Sequence, residues 1–106
     1  MTVQAPPEIF GRFFGREYDL IRHTAEDAFR ADPFIRPTSW WRDVDRNRIV
    51  GGATYSQHLI GTAVDLVESP AAREVWRRAG FIVVEERDHD HVQVYPAGFL
   101  ERLLGL

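Results

Sequence analysis

Two stretches of this chain carry residue types that can do chemistry. One is Tyr55-Ser56-Gln57-His58-Leu59-Ile60-Gly61-Thr62-Ala63-Val64-Asp65; the other is Asp88-His89-Asp90-His91-Val92-Gln93-Val94. His58 falls in a Gly-rich turn, and Asp65 sits inside the apolar run Ala63-Val64-Asp65-Leu66-Val67. An ionised carboxylate in an apolar strand is costly unless something compensates it. A divalent cation does so, and two His with one Asp form a ligand set suited to catalytic zinc. Cysteine is absent, so any metal must be held by His and carboxylate, and no Cys nucleophile or disulfide frame exists.

If His91 to Tyr95 form a strand, His91, Gln93 and Tyr95 share one face and Val92 and Val94 the other. With the valines packed inward, the first set faces a groove across the sheet from Asp65. His58, Asp65 and His91 then converge on one ion. Three protein ligands leave a fourth position for water, as a hydrolytic zinc site requires. A base must take the proton from that water. Asp88, three residues before His91 at the mouth of a hairpin, is placed for this, with Glu85, Glu86 and Asp90 as competitors. An arginine nearby would stabilise the oxyanion formed when water adds to a carbonyl.

The elements that must position these groups are readable in outline. Pro6-Pro7 suggests an extended lead-in, and Ile9, Phe10, Phe13 and Phe14 suit a short core-completing helix, weakened by Gly11 and Gly15. Glu17 to Ala31 is helical, with Tyr18, Ile21, Ala25 and Ala28 on one face beside Phe29, and Asp32-Pro33 ends it. His23 lies on its flank and reads as a surface residue. Phe34 to Trp41 reads as a strand, Arg42 to Arg48 as helical or irregular, and Gly51-Gly52 as a turn. Gly61 to Val67 reads as a strand. Ser69-Pro70 caps and opens a helix whose buried face is Ala72, Val75, Trp76 and Ala79, closed by Gly80. Phe81–Glu86 and His91–Tyr95 pair as a hairpin, and Phe99 to Leu104 suggests a closing helix.

The chain has 106 residues, 44% of them apolar and 27% charged, with a formal net charge of −3. That is one globular domain, residues 1–106, with room for one core. All 13 basic residues are Arg, and no basic stripe argues for nucleic acid as a partner. No apolar run approaches the roughly 20 residues that span a bilayer, and the N-terminus lacks the features of a secretion signal. The expectation is a chain that stays in the cytoplasm as synthesised, with no membrane insertion.

Pro37-Thr38-Ser39-Trp40-Trp41-Arg42, Asn47-Arg48-Ile49-Val50-Gly51-Gly52-Ala53, and Ser56-Gln57-His58 through Gly61, Ala63 and Asp65 together resemble the M15 zinc peptidases. That group includes D-Ala-D-Ala carboxypeptidases and phage L-alanyl-D-glutamate endopeptidases, which cut peptidoglycan stem peptides. The family box is Ser-x-His-x-x-Gly-x-Ala-x-Asp, preceded by a Thr-Ser-Gly-Tyr-Arg-like strand and followed by an acidic residue three before the last His. The resemblance spans about residues 34 to 95. It implies His58, Asp65 and His91 as Zn2+ ligands, Asp88 as general base, Arg42 as carbonyl clamp and Ser56 near the substrate. It implies an α+β fold, a small antiparallel sheet with flanking helices and the zinc site on the sheet, shared by M15 and hedgehog-like domains. It further implies a cell-wall peptide substrate and a phage or virion setting. Two departures stand out: Trp40 replaces the usual Gly, and His89-Asp90 replaces an apolar or aromatic pair, which makes His89 a rival to His91 as ligand. The rival reading is a non-catalytic M15-like module that serves as a virion part or binds cell-wall peptide.

Overall fold

A four-stranded antiparallel sheet carries the two chemically interesting stretches. In the computed structural model, which describes residues 3–106, the strands are β1 (Pro37–Ser39), β2 (Ala63–Leu66), β3 (Ile82–Glu85) and β4 (Asp90–Gln93). Met1 and Thr2, the start of the expected lead-in, lie outside the described residues. The strand order is β1-β2-β4-β3, so β2 and β4 are central. Their register pairs Asp65 with His91 and Val64 with Val92. The hairpin expected at the C-terminal end is the β3–β4 pair.

Strand alternation sorts the two faces. Val64, Leu66 and Val92 point into a core with Ile21 and Ala28 of helix α1 (Gly11–Ala31) and Ala72 and Trp76 of α3 (Pro70–Arg78). Trp76 is 1% exposed and meets Phe81 edge-on at 4.9 Å. Ser69 caps α3 by accepting from the Ala72 amide, and Pro70 opens it, as the sequence indicates. Two short helices, α2 (Val44–Ile49) and α4 (Phe99–Leu103), flank the opposite face. The α+β expectation, a small antiparallel sheet with flanking helices, therefore holds.

Several expectations need correction. The first long helix does not start at Glu17. A 3-10 turn at Glu8–Phe10 runs into α1 at Gly11, and Gly11 and Gly15 leave only a kink at Phe14 (φ −125°, ψ 20°). The aromatics there do not all complete the core. Phe10 packs on Trp41 and Phe14 on Tyr18, but Ile9 and Phe13 are exposed. The strand expected over Phe34 to Trp41 shrinks to three residues, because its pairing with β2 slips between Pro37 and Ser39, and proline cannot donate to a ladder. Ala79, expected on the buried face of α3, is exposed beyond its last turn.

Trp76 anchors the contact between α3 and the sheet, so its truncation reports on the core. Trp76→Ala should lower unfolding free energy by about 3–5 kcal/mol in denaturant titrations. Trp76→Phe should cost clearly less, since it keeps a ring and removes an indole N–H that has no partner among the described residues.

Candidate metal centre

The turn that carries His58 is held by its carbonyls. Gln57–Ile60 is a 3-10 turn capped by Ser56, whose Oγ accepts from the His58 amide at 3.1 Å. The four carbonyls that follow each receive a donor. The Arg42 amide takes His58 O at 3.0 Å, and the Trp41 indole takes Leu59 O at 2.9 Å. The Tyr18 hydroxyl takes Ile60 O at 2.5 Å, and the Trp40 indole takes Gly61 O at 2.8 Å. Burial first, then the Glu17 charge, pushes the Tyr18 phenol up to about 12, so it stays a donor. Gly61 closes the turn at φ +75°, where a Cβ would lie 2.3 Å from Pro6 and 3.0 Å from Tyr18. Trp40 thus works as a clamp on the His58 turn. It also packs edge-on against Tyr18, with the Arg22 guanidinium over its ring.

His58, Asp65 and His91 meet, each offering a ligand atom within 4.8 Å of the others. Asp65 Oδ1 is the hub: His58 Nε2 lies 3.1 Å away and His91 Nδ1 2.9 Å away. Each imidazole uses its outer nitrogen on a carbonyl. His58 Nδ1 faces Trp40 O at 2.5 Å, and His91 Nε2 faces Gln93 Oε1 at 2.8 Å. A carbonyl oxygen only accepts, so both outer nitrogens must donate. The inner nitrogens then turn lone pairs toward a carboxylate oxygen. Three electron-rich atoms around one point need positive charge between them, either extra protons or a cation. This donor set fits a zinc ion, and the outer carbonyls supply the orientation such ligands require.

The electrostatics agree. Burial works against the Asp65 anion, but hydrogen bonds and charge from His58 and His91 outweigh it and hold the carboxyl well below the usual range. Burial likewise opposes charge on His91, yet its bonds to Asp65 and Gln93 raise its pKa. A metal would compete with these protons for the same place.

The other expected site residues are placed differently. Arg42 reaches the site, but all three of its nitrogens are engaged: Nη2 on Asp65 Oδ2 at 2.7 Å, Nε on Ser39 Oγ at 3.0 Å and Nη1 on Asn47 Oδ1 at 3.3 Å. It compensates and aims Asp65, with two N–H groups left for a substrate. Asp88 does not face the cluster directly. Its side chain is 84% exposed and accepts from His89 Nδ1 at 2.6 Å, while His89 Nε2 stands 3.7 Å from Asp65 Oδ1. The His89 ring therefore stands between the two carboxylates, hydrogen-bonded to Asp88 only, and it lies outside the three-residue cluster. Asp90 is excluded as a base: it is buried on the other face, holding the Ser69 amide and Arg73. Glu85 pairs with Arg73 and Arg77. Glu86 lines the cleft. His23 is exposed on α1, as expected of a surface residue.

An open cleft of about 640 Å³ lies over the cluster, and Ser56, His58, Asp65, Glu86, His89 and Gln93 are among its walls. A second hollow of about 560 Å³ adjoins it across Arg42 and His89, toward Trp41 and Arg46. Gln93 and the Trp40 carbonyl were not among the expected site groups. The signal for Gln93 was present, since it shares the His91 face of the strand; the Trp40 carbonyl left none.

The Peptidase M15 family profile matches residues 21–92. The chain belongs to the M15 peptidase family. No curated protein and no solved structure gives a significant match. M15 peptidases are generally zinc-dependent, and the donor set of this M15 chain accords with that. The matched span takes in every expected site residue but ends one residue before Gln93. Among the described residues no helix is long and apolar enough to cross a membrane.

The protonation argument is measurable without metal. In metal-free protein His91 should titrate above 6.5 by NMR, and Asp65→Asn should bring it down. His91, raised in the fold, stabilises fully below 6.5 and loses that as pH climbs through its folded pKa. Asp65, lowered from 3.8, stabilises above that value and loses it as pH falls through its folded pKa. Denaturant unfolding should therefore show the pair's contribution largest between 3.8 and 6.5 and missing in Asp65→Asn.

Proposed function

We propose that this chain is a zinc metallopeptidase that hydrolyses peptide bonds of peptidoglycan stem peptides, as a D,D-carboxypeptidase or endopeptidase. The observation that carries this reading is the convergence of three lone-pair donors on the floor of an open cleft. His58 Nε2, Asp65 Oδ1 and His91 Nδ1 are the groups that would hold the ion. Bound zinc supplies Lewis acidity toward a carbonyl and lowers the pKa of water.

The chain's own residues do the rest. The cleft takes an extended peptide, and the Ser56 hydroxyl, whose oxygen already accepts from the His58 amide, has its proton free for a substrate carbonyl. The two uncommitted N–H groups of Arg42 meet negative charge developing on the scissile carbonyl oxygen. Acid–base work falls to Asp88 acting with His89. The carboxylate holds the Nδ1 proton, so Nε2 is free to take a proton from the attacking water and return it to the leaving amine. This moves the proton-accepting atom from Asp88, where the family pattern places it, to its neighbour.

The cell-wall substrate rests on the family box. So does the setting: a phage or prophage product that acts at the wall after release or from within a virion, where tail or virion proteins would be its partners. One observation favours the second reading, a non-catalytic M15-like module: the Asp88 carboxylate is mostly in solvent and turned onto His89 rather than toward the cluster.

The deciding experiment incubates zinc-loaded protein with purified muropeptides at neutral pH and follows the products by mass spectrometry. Shortened stem peptides are expected, with none from Asp65→Asn. Asp88→Ala and His89→Ala should each lower turnover by about 10²–10⁴ while zinc is retained. Intact muropeptides from zinc-loaded wild type would leave the non-catalytic module as the better reading.

A further inference from the structure

Two glutamines tie the metal-binding segments to one carbonyl. Gln57, immediately before His58, is buried at 6% exposure. Its Nε2 donates to Tyr95 O at 2.6 Å, and its Oε1 accepts from the Tyr95 amide at 3.1 Å and the Thr62 hydroxyl at 3.0 Å. The Gln57 amide thus pairs with the Tyr95 peptide group as a neighbouring strand would. Gln93, two residues after His91, donates its Nε2 to the same Tyr95 oxygen at 2.7 Å. Both lone pairs of that oxygen are then taken.

The shared carbonyl fixes which end of Gln93 meets His91. With Nε2 committed to Tyr95 O, only Oε1 is left to face His91 Nε2. An acceptor there puts the His91 proton on Nε2 and leaves Nδ1 bare toward Asp65. If Gln93 were reversed, its NH2 would meet the ring, Nδ1 would carry the proton, and the cluster would lose one of its three donors. Gln57 blocks that reversal by holding Tyr95 O in place, and the same contact couples the turn of His58 to the strand of His91.

We propose that Gln93 is a positioning residue that selects the His91 tautomer for metal binding, with Gln57 as the lock that keeps it oriented. This rests on the reading of His58, Asp65 and His91 as a zinc site. Gln93 itself is only partly buried and lines the open cleft, so the core does not need it.

The test measures zinc affinity by competition with a chromogenic chelator, alongside thermal unfolding of the metal-free proteins. Gln93→Met keeps the length of the side chain and removes both the acceptor facing His91 and the donor to Tyr95 O. It should bind zinc about 10- to 100-fold more weakly than wild type, with the metal-free melting temperature lowered by only a few degrees for the two lost hydrogen bonds. Gln93→Glu keeps an acceptor facing His91 but sets its second oxygen against Tyr95 O, which it cannot hydrogen-bond, so it should recover only part of the affinity. If Gln93→Met binds zinc as tightly as wild type, or its metal-free melting temperature falls in step with its affinity, the tautomer role is overturned. So is it if Gln93→Glu binds zinc no better than Gln93→Met. If wild type itself takes up no zinc, the metal reading fails, and this inference fails with it.

Discussion

A single buried carboxylate organises this molecule. Asp65 sits in the middle of a central strand, 4% exposed, between residues whose side chains fill the core. Leaving its charge unpaired there would cost several kcal/mol. The fold meets that demand outright at only one of the two oxygens. Oδ2 receives Arg42, which is itself fixed by Ser39 and Asn47. Oδ1 receives two imidazoles whose outer nitrogens are already spent on carbonyls. The arginine satisfies one oxygen outright, whereas the other is left with a demand for positive charge that a proton or a metal can meet.

Rigid positioning follows from how the surroundings are bonded. The turn that holds His58 has four successive carbonyls occupied, three of them by aromatic side chains from α1 and the segment after β1. His91 needs less, because the β2–β4 register places it directly across from Asp65. The two histidines therefore reach one point by different means, one from a clamped turn and one from a strand ladder. Between them the rings sit edge to face, with centroids 5.3 Å apart. An ion site built on such elements needs little rearrangement when charge arrives.

Much of this was legible in the sequence, and for physical reasons. An Asp amid Ala63, Val64, Leu66 and Val67 is anomalous in a strand, and period-2 alternation put His91 on the same face. The Ser69-Pro70 start of α3 has unambiguous local chemistry. Legibility failed where tertiary contacts overrode local preference. Gly11 and Gly15 argued against a helix that α1 nonetheless forms, since Tyr18 and Ile21 further along bury it. The segment from Phe34 to Trp41 read as one strand, yet Trp40 and Trp41 spend their indole N–H groups on the His58 turn and leave β1 short. The long reach of Arg42 to Asp65 was expected only as a contact to substrate. The place of His89 between Asp88 and Asp65 depends on the hairpin's exact turn, which spacing alone does not give.

What fills the space beside Asp65 Oδ1 decides between a metal centre and a cluster held together by protons. Anomalous diffraction at the zinc absorption edge, from crystals grown with zinc, addresses this most directly. The account predicts one peak bonded at about 2.0–2.2 Å to His58 Nε2, an Asp65 oxygen and His91 Nδ1, with Gln93 still on His91 Nε2. A peak held by His89 or by His91 Nε2, or no peak within bonding reach of Asp65, would contradict it.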